Sequence, residues 1–211
     1  PWYTGRFSDV YDQILSGCRG LLDQCRGKKA EILPALVTAF EPFDSRETNA
    51  SQEVLRSLPD RMGGRRIHRM MLPVVFGKAA EAIRGSWSQI FLLGEAGRKT
   101  VTPETTARNL RQARIPDNEG NQPENALIRP EGPEEYRTVI PVEDIVARMQ
   151  TDGYAIEVSN DAGTFVCNDT FYLVGTGNRV PVSFIHVPVS LPNRAAETVR
   201  RFIELALQTE K

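Results

Sequence analysis

The sequence predicts an α/β protein: a single-domain three-layer α/β/α sandwich around a mostly parallel central sheet. Two observations carry this. Short apolar runs rich in Val, Ile, Leu and Phe alternate with segments of helical period along the chain. Strands alternating with helices throughout argue for a largely parallel sheet covered on both faces. The 211 residues, 40% of them apolar and 25% charged, are enough for one large core.

Element by element, Val10, Ile14, Cys18, Leu21, Leu22 and Cys25 recur at helical spacing, with Gly27 as a stop, so residues 8–26 predict an amphipathic helix. "EILPALVTAF" reads as a buried strand ending in the turn "EPFDSRETN". "NASQEVLRSL" is a helix capped by Asn49 or Ser51. A strand "RIHRMMLPVV", a helix "GKAAEAIRGSW" and a strand "QIFLLGEAG" follow. Lys99 to Arg137 is irregular, rich in Pro, Asn, Glu and Gly, and a loop this long in a compact domain is more often functional than idle. Beyond it come the helix "PVEDIVARMQTDG" closed by Gly153, the strand "YAIEVSN", a helix opening near Cys167, the strand "VPVSFIHVPV" and the helix "NRAAETVRRFIELALQ". The expected organisation is an N-terminal helical extension over residues 1–30 and one domain over 31–211.

Composition excludes several functions. A formal net charge of −1 gives no global attraction to nucleic acid or anionic membrane. The local cluster "GGRRIHR" is read as a solvated face or strand end. No apolar run is long enough to cross a bilayer, and the N-terminus, which does not begin with Met, has no signal-peptide pattern. Three cysteines do not read as a disulfide framework. Cys18 and Cys25 are two helical turns apart, too far to bridge at a rise of about 1.5 Å per residue. Both are read as small apolar core residues, and a reducing, cytoplasmic setting is expected. Two histidines, His68 and His186, with no Cys/His cluster, do not suggest a zinc site.

The chemistry centres on "DAGTFVCNDTFY". Cys167 falls between an apolar run and the first turn of a helix. A helix N-terminus lowers a thiol's pKa, so the setting suits a nucleophile, although it also suits an inert core cysteine. A nucleophilic cysteine needs a base. His186 ends the apolar run "VSFI", at the carboxyl edge where sites of such sheets gather, whereas His68 precedes its strand's apolar core and belongs at the other edge. Glu104, in the loop after the third strand, is a candidate to accept the second ring N–H of the histidine. A strand-end histidine and a Glu after Pro are each common without such roles.

The combination "VTAFEPF", "TPE", "ARIPDNEGNQP", "FVCN" and "FIHVP", in that order, resembles the pyroglutamyl peptidase I (pyrrolidone-carboxylate peptidase) family over residues 32 to 207. The resemblance implies an α/β/α fold, a cofactor-free thiol peptidase that removes N-terminal pyroglutamyl residues from peptides, and a homodimer or homotetramer. It implies a triad of Cys167, His186 and Glu104, with Arg114 and the Cys167 backbone N–H holding the oxyanion. Phe40 and Phe43 would flank the pyroglutamyl ring, with Asn49, Glu95, Ile115 and Val166 around them. No metal, nucleic acid or membrane is implied. The alternatives are a related amidase acting on another cyclic or small acyl group, and an inactive binding homologue.

Four departures stand out. Ala39 replaces a glycine, Asp44 and Ser45 replace a Gly-Gly pair, "GEAGR" replaces "GQAGGR", and "CND" replaces "CNH". Pyroglutamate is an uncharged lactam, and a carboxylate facing it would be desolvated without compensation. Glu95 is therefore expected to point to solvent or to a basic neighbour such as Arg98, and Asp169 to turn away from Cys167 or pair with a base.

Overall fold

The computed structural model describes residues 11, 14–18, 32–190 and 194–209. The chain divides into two compact units, Pro1–Ile32 and Leu33–Lys211. In the first, residues 11 and 14–18 are helical. Tyr11 and Ile14 are exposed there, and so is Cys18, contrary to its expected place in a core. Cys25 and the rest of the expected helix lie outside the described residues.

The second unit is built on a six-stranded sheet. Its strands are β1 (Ala35–Phe40), β2 (Arg61–Met62), β3 (Arg65–Leu72), β4 (Ile90–Ala96), β5 (Thr102–Glu104) and, late in the chain, β8 (Val182–Pro188). The spatial order is β2-β3-β1-β4-β8-β5. The four inner strands are parallel, and β2 and β5 close the edges antiparallel. A separate ribbon pairs β6 (Thr106–Arg108) with β7 (Glu135–Arg137).

Helices cover both faces, as the sequence requires of doubly buried strands. One layer holds α1 (Ala50–Ser57), α3 (Val142–Thr151) and α5 (Ala195–Ala206). Val54, Met149 and Phe202 of these helices pack with the odd-numbered Val37, Phe91 and Ile185 of the strands. The other layer holds α2 (Lys78–Ala82) and α4 (Val166–Gly177). There Ala79, Val166 and Phe171 pack with the even-numbered Leu36, Leu92 and Phe184. This period-2 division decides the site, because it sends Phe40, Gly94 and His186 to the face that α4 covers.

Local chemistry sets several boundaries. Asn49 caps α1, its Oδ1 accepting from the Ser51 N–H at 3.0 Å and the Ser51 hydroxyl at 2.7 Å. Helix α3 ends at Thr151, and Gly153 follows at φ 83°. Helix α2 is far shorter than the eleven residues expected, stopping at Ala82 three residues before Gly85 turns at φ 115°. "YAIEVSN" forms no strand. It touches the sheet through single bridges, Ile156 to Val101 and Ser159 to Glu104. The irregular middle contributes three short strands that the sequence did not suggest.

Candidate active site

A cavity of about 950 Å³ opens at the carboxyl ends of β1, β4 and β8, the edge at which such sheets build their sites. Of the ten residues singled out from the sequence, Cys167, His186, Arg114, Phe40, Phe43, Asn49, Glu95, Ile115 and Val166 line it. Glu104, the tenth, is fully buried, behind His186. His68 is exposed on β3 at the level of Leu36, towards the other end of the sheet.

His186 stands two residue pairs before the end of the β4–β8 ladder, directly opposite Gly94. Its ring is nearly buried and packs on Phe184. Its Nδ1 lies 2.7 Å from Glu104 Oε1. An ionised carboxylate only accepts, so Nδ1 carries the hydrogen and Nε2 is left to act as a base. Strand β5 makes this pair possible, because its antiparallel register sets Thr102 against His186 and Glu104 against Phe184.

Cys167 is the second residue of α4, half-buried at the cavity wall. Gly94 explains how a sulfur fits against the strand. A Cβ there would come within 2.9 Å of Cys167 Sγ and 2.6 Å of the Phe184 ring, so only glycine admits both. His186 and Cys167 thus both neighbour Gly94. The expected depression of the thiol pKa is not found. Burial first, then the Glu104 and Glu95 carboxylates, push it up from 9.0 to about 12, opposed by a backbone hydrogen bond at Cys167 itself. A helix terminus contributes roughly 1 kcal/mol, less than about one pKa unit, and cannot offset a rise of that size. The resting group is a neutral thiol.

The two acidic departures are both neutralised. Glu95 is neither solvated nor bound to Arg98. Its side chain is only 4% exposed and accepts from Arg46 and, at 2.8 Å, from the Ala50 N–H at the start of α1. Asp169 is fully buried and accepts from Arg111 Nε at 2.6 Å and the Gly77 N–H at 2.7 Å. Arg98 instead reaches Glu104 Oε1 and Ser159 Oγ, each at 3.3 Å, and the Asp161 carbonyl at 2.8 Å.

The aromatic side is made by Phe40, Phe43 and Phe165. Sequence reasoning missed Phe165, although it lies within "AGTFVCN". Its ring centroid is 6.1 Å from that of Phe43 and meets Phe76 edge-on. Arg46 was missed too, and its guanidinium sits over Phe43. Asn49 is largely committed to capping α1 and to the Glu41 carbonyl, which leaves one amide hydrogen for the cavity. The Arg114 guanidinium has no hydrogen bond or ion pair among the described residues and is exposed in the cavity.

A thiol that lines the same cavity as a histidine–carboxylate pair, at the carboxyl edge of a covered parallel sheet, fits a cysteine hydrolase. The family model described as pyroglutamyl peptidase matches residues 33–210, and the chain belongs to that family of cysteine peptidases. It is 36% identical over 194 residues to a pyrrolidone-carboxylate peptidase of Escherichia fergusonii, covering 82% of this chain and 91% of the relative. The fold is similar to that of pyroglutamyl peptidase I from Bacillus amyloliquefaciens, with a TM-score of 0.75 and 34% identity over 84% of this chain and 94% of that one. It is also similar to pyrrolidone carboxyl peptidase from Thermus thermophilus, with a TM-score of 0.76 and 34% identity over 81% and 98%.

Proposed function

We propose that this enzyme removes N-terminal pyroglutamyl residues from peptides through Cys167, His186 and Glu104. The observation that carries the reading is the buried His186–Glu104 pair opening onto the same cavity as the Cys167 thiol. The phenylalanine faces suit a flat lactam. Uptake of the Glu95 charge by Arg46 supports an uncharged ring over a cationic acyl group.

The neutral thiol dictates the order of steps. Sγ attacks the carbonyl that joins pyroglutamate to the next residue as His186 Nε2 takes the thiol proton. Glu104 stabilises the imidazolium that forms. The carbonyl π electrons move to oxygen, held by Arg114 and the Cys167 backbone N–H. The C–N bond then breaks as His186 gives its proton to the leaving amine. Water, deprotonated by His186, attacks the thioester and releases pyroglutamate and the thiol.

Hydrolysis of a fluorogenic pyroglutamyl amide tests this. The wild-type chain releases the fluorophore, Cys167→Ala loses turnover while keeping its melting temperature, and Cys18→Ala is unaffected. Turnover retained in Cys167→Ala overturns the reading.

Residues 1–30 are proposed as an extension outside the peptidase domain of 31–211, supported by the start of the family match at residue 33. The assembly is proposed as a homodimer or homotetramer, which light scattering of the purified chain measures. Among the described residues no helix is long and apolar enough to cross a membrane. The proposed setting is the cytoplasm, where reduced thiols persist.

A further inference from the structure

Resting on the triad reading above, we infer that Arg98 is a positioning residue, which keeps Glu104 ionised and ties the His186–Glu104 pair to the segment that delivers Cys167. Glu104 is fully buried, and its Oε2 has no partner among the described residues. A buried carboxylate stays ionised only if a positive group compensates it. Facing Glu104 among the described residues are three titratable or charged groups: His186 from β8, Arg98 from the loop after β4, and Cys167 from α4. His186 is charged only when protonated, and Cys167 is a neutral thiol. Arg98, 3.3 Å from Oε1, therefore supplies the permanent positive charge.

The same Nη2 bonds the Asp161 carbonyl at 2.8 Å and lies 3.3 Å from Ser159 Oγ. Ser159 is itself bound to β5, its N–H donating to Pro103 and its carbonyl accepting from Thr105. Four residues beyond Asp161 the chain reaches Phe165, which precedes α4. One guanidinium thus joins the loop after β4, the carboxylate of β5 and the lead-in to the thiol's helix. The contacts to Glu104 and Ser159 are long for hydrogen bonds, so the charge and the short bond to Asp161 carry the effect.

Arg98 acts through Glu104, so its loss must move the pH dependence as well as the rate. Removing a cation beside a carboxylate favours its protonated form, and a protonated Glu104 cannot stabilise the imidazolium. The experiment compares pH profiles of kcat and KM on a pyroglutamyl amide for wild type, Arg98→Met, Arg98→Lys and Glu104→Gln. In Arg98→Met the acid limb of kcat/KM should rise by about one pH unit, with kcat down about tenfold and KM nearly unchanged. Arg98→Lys should restore the limb. Arg98→Met added to Glu104→Gln should cost less than twofold, because the charge that Arg98 serves is then gone. An unmoved acid limb in Arg98→Met, a loss confined to KM, or full additivity with Glu104→Gln overturns the inference. Should Arg98→Met not fold, the double variant compared with Glu104→Gln still decides, because a further loss of about tenfold there overturns the inference. Turnover retained in Cys167→Ala would instead overturn the triad reading itself.

Discussion

Glu95 and Arg46 form an ion pair in the wall of the cavity, and the second oxygen of Glu95 caps α1 through Ala50. The acidic replacement in the "GEAG" loop is therefore charge-compensated. Glu95→Gln should change kcat/KM on a pyroglutamyl amide by less than threefold. Arg46→Met should lower it about tenfold by leaving a nearly buried carboxylate with a single donor. Adding Glu95→Gln to Arg46→Met should recover most of that loss. Arg46 is itself 41% exposed at its side chain, which keeps the expected effect moderate.

The Cys167 thiol gives stability a defined pH dependence. It ionises near 9.0 in the unfolded chain and near 12 in the folded one. Between those values the folded state keeps a proton that the unfolded state has lost, so stability is unaffected below about pH 9 and falls as pH rises towards 12. Melting temperatures of wild type and Cys167→Ser should differ by a constant up to about pH 8.5, after which wild type should lose ground. A difference that stays constant to pH 11 would contradict the raised thiol.

Asp169 and Arg111 fasten the first turn of the Cys167 helix to the loop at Gly77. Arg111 also lies over the Phe76 ring. Arg111→Ala leaves a fully buried carboxylate with one backbone donor, at a cost of about 3 kcal/mol. Asp169→Asn keeps an acceptor for Gly77 and should cost less. Urea denaturation midpoints of the two variants test that order.

Asp44 and Ser45 stand at φ 53° and 59°, in the left-handed region. Glycine adopts that conformation without the Cβ penalty, which suits the Gly-Gly pair that the family resemblance implies there. Asparagine and aspartate tolerate it better than serine, so the expected gain sits at Ser45. Ser45→Gly should stabilise the protein by about 0.5 kcal/mol, the relieved strain exceeding the added chain entropy. Equilibrium unfolding measures it, and a loss of stability would show that Ser45 makes a compensating contact.

Much of the fold was readable along the chain. The runs that became β1, β4 and β8 are mostly apolar, and their alternation with helical segments implies a largely parallel sheet covered on both faces. The reading failed at "YAIEVSN", which has a strand's composition but finds only two bridges, because β5 already occupies the sheet edge beside β8. It failed also at β5 to β7, three residues each and too short to show a period. Cys18 at helical spacing implied a core place, but period shows which residues share a face and not whether anything covers that face.

The sequence by itself determined the layers of the sandwich and the candidates Cys167, His186 and Glu104. Residue type, strand-end position and two-residue alternation are local properties, written in the order of the residues. Only the tertiary structure decided which charges meet. Arg46 takes Glu95 from 49 positions away and Arg111 takes Asp169 from 58, while Arg98 turns to Glu104 rather than to Glu95, three residues distant. The thiol's protonation was decided there too. Desolvation and the fields of two carboxylates act through space and outweigh the helix terminus that the sequence could announce.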